Sequence, residues 1–191
     1  MAFNINDFRA VLNGGGARPT LFRVEVDLPF ADSTASRKLT FTAKAASLPP
    51  STLETITVPY FGRQIKVAGD RTFPQWDLTI INDEDFSVRS ALERWNQSIN
   101  THITNLNESG GPVAYKQRDA NVIQYAKTGE IIKEYVFRNI FPSNIAEIPL
   151  SWETVNTIEE YTCTFQYDLW EVTGPSPIAP SSSIFDRITQ A

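Results

Sequence analysis

Three consecutive acids, Asp83, Glu84 and Asp85, stand in the stretch INDEDF and form the densest set of chemically capable side chains in the sequence. Carboxylate oxygens bind hard cations such as calcium, and paired carboxylates hydrolyse glycosides. The spacing argues against the first use. A calcium loop alternates its ligands, turns at a central glycine and ends on a bidentate glutamate, whereas NDEDFSVRSALE has no glycine at its turn. An acidic β-sandwich hydrolase built on Asp83, Glu84 or Asp85 stays open as a remote alternative, because its second carboxylate could come from anywhere in the chain. A helix start explains more of the stretch. Asn82 and Asp83 are N-cap residue types, and acids in a first turn favour the positive end of the helix dipole.

The remaining reactive residues are sparse. His102 is the single histidine and falls near the end of the same helix, where an imidazole more often meets the last carbonyls. No G-x-S-x-G elbow accompanies it, and neither phosphate-loop glycine pattern occurs. Gly14, Gly15 and Gly16 lead into Pro19 and a strand rather than opening a helix. Cys163, the only cysteine, lies on the apolar side of an alternating segment and reads as a small core residue. No catalytic, cofactor-binding or metal-binding residue is assigned. A second distinctive stretch, VAGDRTFPQW, offers Gly69, Asp70, Arg71 and Trp76 as residues of a tight turn or of a contact with another subunit.

The elements around these residues are mostly strands. Phe22, Val24, Val26 and Leu28 alternate with Arg23, Glu25 and Asp27, and Leu39, Phe41, Ala43 and Ala45 alternate with Thr40, Thr42 and Lys44. With the polar ADSTASR between them, the two runs suggest an antiparallel hairpin. LETITVPYFGRQIKVAG turns at Gly62, with Pro59 marking a sheet edge or bulge. Trp76, Leu78 and Ile80 form a further strand. Val88, Ala91, Leu92, Trp95 and Ile99 then make one apolar stripe on the only long helix. Residues 121–127 and 131–141 read as strands, NIAEIPLSW as irregular, and Tyr161 to Leu169 as one clear final strand. The expected fold is mainly β, with seven or eight strands and one flanking helix.

The boundaries are set by composition. Residues 1–16 read as a short N-terminal helix and glycine joint, 17–173 as the β-domain, and 174–191 as a Pro/Ser-rich extension. A chain of 191 residues buries roughly 70% of its unfolded surface and needs no disulfide staple. Its 17 basic and 22 acidic residues are interleaved, for a net charge of -5. That leaves no basic face for tight nucleic-acid binding. Neither a signal peptide nor a membrane-spanning run is visible, so a soluble protein made in the cytosol is expected.

Four stretches carry a resemblance: ARPTLFRVEV; FTAKAASLPPSTLETITVPYFGRQIKVAGDRTFPQWDLTIINDED; PVAYKQRDANVIQYAK; and FPSNIAEIPLSWETVNTIEEYTCTFQYDLWE. In this order they resemble the tail tube protein of T4-type contractile-tailed bacteriophages, and IKVAGDRTF followed by Trp76 and the acidic run is the most specific piece. The resemblance implies a two-sheet, barrel-like subunit that contributes to a continuous inner β-barrel in hexameric rings. Such rings stack into a hollow tube inside a contractile sheath, bounded by baseplate and tail terminator proteins, and pass double-stranded DNA when the sheath contracts. The implied setting is the virion tail, assembled in the host cytoplasm, with no enzymatic activity and no cofactor. Related readings are a baseplate tube initiator or an effector-delivery tube, since similar subunits serve type VI secretion and contractile bacteriocins. The polar insertion at 31–37 and the tail beyond Gly174 look longer than in the family's shorter members.

Overall fold

The computed structural model describes residues 15–174 except 30, 32, 112–114 and 117, together with 5, 8, 10 and 12. The expected N-terminal helix therefore lies mostly outside the described residues, as does the extension from 175 onward. Among the described residues the main elements follow in chain order: β1 (Phe22–Val26), α1 (Ser33–Thr42), β2 (Ala43–Ala46), β3 (Thr52–Tyr60), β4 (Arg63–Thr72), β5 (Trp76–Ile81), α2 (Ser87–Ile99), β6 (Ala120–Tyr125), β7 (Ile131–Arg138), β8 (Phe141–Ile145), β9 (Glu160–Gln166) and β10 (Leu169–Thr173). The fold is mainly β, as the alternating patterns predict.

The strands form two antiparallel four-stranded sheets, ordered β1-β6-β7-β10 and β2-β5-β9-β8, and a separate two-stranded ribbon, β3-β4. The inner faces are the ones the sequence alternation marks. Trp76, Leu78 and Ile80 of β5 and Tyr161, Cys163 and Phe165 of β9 are buried, as is Val24 of β1. Aromatic rings join the sheets. The Trp76 indole, 1% exposed, stacks on Phe137 of β7 with centroids 4.6 Å apart, and Phe137 meets Tyr167 edge-on at 4.9 Å. Helix α2 adds Val88, Ala91, Leu92 and Trp95 to this core. Burial pushes the Cys163 thiol well above its ordinary pKa, which suits a packing residue rather than a nucleophile.

Four expectations change. Residues 33–42 are a helix, so the hairpin with β1 does not form; β1 pairs with β6, Val24 opposite Val122, and β2 pairs with β5. The alternation at Leu39, Phe41 and Ala43 misled because Ala35 and Leu39, four residues apart, are the buried pair, whereas Phe41 is 75% exposed. Thr42 returns its hydroxyl to the Lys38 carbonyl at 3.0 Å, a helical backbond that a β-branched threonine makes readily. The run 131–141 is two strands, because Asn139 takes φ 58° and ends β7. The stretch FPSNI is a strand in its own right, β8, with Pro142 tolerated because β8 lies at the sheet edge. Finally, the last strand splits at Tyr167 and Asp168. β9 stays in one sheet while β10 joins the other beside β7, and the Asp168 amide donates to the Arg138 carbonyl at 3.1 Å where the chain crosses.

Replacing Trp76 with alanine removes the ring that both sheets share. Chemical denaturation is expected to show a loss of about 3–5 kcal/mol, and a loss below about 1 kcal/mol would mean the core collapses around the gap.

Candidate assembly interface

The ribbon has an amphipathic pattern but, among the described residues, no core beneath it. On one side Ile56 lies opposite Val67, and Val58 opposite Ile65, with Tyr60 beyond them; on the other, Thr57 lies opposite Lys66 and Pro59 opposite Gln64. Every residue of β3 is exposed, and nearly every residue of β4. An isolated two-stranded ribbon is marginal in water, and a contiguous exposed apolar patch marks an interaction surface. The tip is a two-residue turn, Phe61 at φ 41° and Gly62 at φ 78°, the left-handed pair that matches strand twist in a hairpin. Its Phe61 ring is 91% exposed.

The residues singled out at VAGDRTFPQW separate. Gly69 is not in a turn and has no positive φ; it lies within β4 at a bulge, where the register shifts between Leu53 and Thr55. A Cβ there would meet the Glu54 carbonyl oxygen at 3.1 Å and the Ile56 side chain at 3.2 Å, a tight fit that a side chain could enter only if the facing strand gave way by a few tenths of an ångström. Asp70 and Arg71 are also strand residues and exposed, with the Arg71 guanidinium donating to the Ser51 hydroxyl. Trp76 is a core residue and not a surface contact. Its indole N–H donates to the Ser47 carbonyl at 3.0 Å, which ties the start of β5 to the segment leading into the ribbon.

The acidic run is a clasp. Helix α2 begins at Ser87, and its N-cap position falls on Phe86 in the left-handed conformation, with no side-chain cap, so neither Asn82 nor Asp83 caps it. The Phe86 amide donates to the Asp83 carbonyl at 2.9 Å and forms a tight turn that delays the helix. Asn82 donates instead to the Glu159 carboxylate at 2.8 Å. Asp83 accepts from Lys38 of α1 at 2.7 Å, and Asp85 accepts from the same ammonium and from the Ser87 amide. Lys38 lies 45 residues upstream of Asp83, so no local pattern could announce the pairing. The Lys38 ammonium, with help from the Ser87 amide, holds the Asp85 carboxyl down at about 2. Among the described residues, no three His, Cys, Asp or Glu side chains converge as metal ligands. His102 borders a shallow polar groove beside α2 with Arg89, Glu93 and Ser143.

A second apolar surface lay unrecognised in the segment read as irregular. Between β8 and β9, Leu150, Trp152, Val155 and Ile158 are all exposed, Trp152 completely. A solvent-facing tryptophan was the available signal, but without periodicity nothing marked it as exposed.

Residues 17–173 match the model of a family described as phage tail tube protein. The chain is 38% identical to tail tube protein gp19 of Enterobacteria phage T4 and 37% identical to that of Enterobacteria phage T6, each over 85% of this chain and 96% of the relative. Among solved structures, a chain of the sheath/tube terminator of an extracellular contractile injection system in its extended state has the same fold. Its TM-score is 0.61 at 18% identity, over 83% of this chain and 97% of that one.

Two outcomes are expected. Because Asp85 is depressed from 3.8, its contribution to stability is present above about pH 4 and is lost as pH falls through about 2. The Asp85 carboxyl resonance is expected to titrate near 2 and to move up to the ordinary carboxylate range in Lys38→Met; an unmoved midpoint would refute the clasp. Gly69→Val is expected to leave the thermal unfolding of the sandwich nearly unchanged while disordering the ribbon, read as lost amide-exchange protection between 52 and 72.

Proposed function

The chain belongs to the phage tail tube protein family and is a structural component of the virion tail, and from that premise we propose that its copies close into hexameric rings, stacked as a conduit for double-stranded DNA within a sheath. The observation that carries the proposal is the β3-β4 ribbon, whose apolar face finds no partner among the described residues of its own chain. A second copy is the simplest source of that partner. Ring closure uses the lateral edges: β2 and β8 bound one sheet, and pairing the β8 edge of one copy with the β2 edge of the next removes both. The carboxylates Asp83 and Asp85 are engaged by Lys38, which supports a structural use of the acidic run.

The lumen is assigned to the outer face of the β2-β5-β9-β8 sheet. There Thr79 lies opposite Thr162 and Asp77 opposite Thr164, with Gln166 and Ser143 nearby, and the Thr164 hydroxyl donates to Asp77 at 2.7 Å. The cation on that face, Lys44, is paired with Glu160. The outer face of the other sheet instead carries Arg23 and Arg138 beside Glu25 and Glu171. A hydroxyl-lined wall releases few counterions from passing phosphates, so DNA neither sticks nor drags.

Negative-stain microscopy of the purified chain, seeded with tail baseplates where needed, is expected to show rings or tubes. A persistent monomer under both conditions would refute the proposal. Wild-type tubes are expected not to retard duplex DNA on a gel at physiological salt, whereas tubes of the double variant Thr79→Lys, Thr162→Lys retard it; retention by the wild type would overturn the lumen assignment.

A further inference from the structure

A groove of about 750 Å³ runs between helix α1 and β1, the edge strand of its sheet. Its two walls differ in what they offer. Phe22, Tyr125 and Glu25 line it from the sheet, and Arg37 and Phe41 line it from the helix, with Phe41 75% exposed. Arg23, also at the sheet wall, is paired with Glu25 at 2.5 Å, whereas Arg37 has no ion-pair partner among the described residues. An occupant that fits must bring apolar side chains and an acid. The described N-terminal residues do not fill this place, since Ile5, Phe8 and Leu12 are all exposed.

The register of the sheet locates the other end of the chain relative to the groove. Thr173 pairs with Glu134, Glu134 with Ile123, and Ile123 with Arg23, so the last residue of β10 shares one row with Arg23. Three strand spacings separate them, about 14 Å. The row lies on the face of the sheet away from the Trp76 core, because Phe137 and Val122, one position along, are the buried inner residues. The sequence beyond Gly174 matches that span. Residues 175–180, PSPIAP, hold three prolines in six positions, and a proline-rich spacer extends about 3.1 Å per residue, about 19 Å in all. After three serines come Ile184, Phe185, Asp186, Arg187 and Ile188. In an extended chain successive side chains point to opposite sides, so Phe185 and Arg187 face one wall and Ile184, Asp186 and Ile188 the other. We infer that residues 184–188 dock in the α1-β1 groove of their own chain, with Phe185 and Arg187 toward Phe22, Tyr125 and Glu25, and Asp186 opposing Arg37. Residues 175–183 then strap the outer face of the sheet. The family match ends at residue 173, so the strap is an addition to the tube domain, and it holds the helix that runs directly into β2. In the tube reading the strapped face looks away from the lumen, but the docking itself does not depend on rings or tubes.

Disulfide trapping in the dilute full-length chain tests it. The only native cysteine is buried, so introduced thiols report alone. Ser36→Cys lines the groove, and Ser183→Cys immediately precedes the docking residues. Mild oxidation of this pair is expected to give a faster-migrating monomer on non-reducing gels, formed about tenfold faster than from Ser183→Cys with Glu134→Cys. Glu134 neighbours β10 and lies nearer the exit, so equal rates would mean a roaming tail and overturn the inference. Dimers in place of the looped monomer would give the groove to another copy's segment, and a link of Ser36→Cys to Asp7→Cys in place of Ser183→Cys would give it to the N-terminus; either overturns it. Arg37→Asp is expected to slow loop formation about threefold, and adding Asp186→Arg to restore it; loss without recovery refutes the pairing. A second measurement needs no cysteines. Phe185→Ala with Ile188→Ala is expected to raise amide exchange at residues 36–41 about tenfold while β5 and β9 stay protected, and unchanged exchange in α1 refutes the docking. Each readout is made on the subunit, so failure of tubes to form leaves the outcome unaffected.

Discussion

The Trp76 indole is the point on which both the closed and the open parts of the molecule depend. It lies between the sheets, stacked on Phe137 and tilted against Phe165 with centroids 5.6 Å apart, and its N–H is satisfied by the Ser47 carbonyl. Burial of so large a ring dominates the local packing, and the hydrogen bond removes the cost of burying its one polar atom. The same bond fixes the segment at which the chain leaves β2 for the ribbon. The sandwich is therefore complete without the ribbon, and the apolar face of β3 and β4 is surplus to the core of its own chain.

What could be read in the sequence follows from where each pattern gets its meaning. β1, β5 and β9 were legible because each buries one face against the core, so a two-residue period maps directly onto inside and outside. The ribbon was legible as strands and as a turn at Gly62, but alternation says only that two faces differ. It does not say which chain covers the apolar one. Helix α1 was misread because its length is short and Leu39, Phe41 and Ala43 happen to alternate; the long-range contact of Lys38 with Asp83 and Asp85 was the missing information. INDEDF itself looked like a site or a helix start and is neither. Its acids fasten α1 to the corner between β5 and α2, a role that depends on residues far away in sequence.

An exposed apolar ribbon is a hazard before it finds its partner, and this one carries several restraints on indiscriminate pairing. Pro59 withholds an N–H, the bulge at Gly69 breaks the register, and Arg63 and Lys66 place charge near the tip. None of these restraints removes the apolar face itself. They act on the strand edges, where amyloid-like addition would begin, and leave the flat side free for a specific surface.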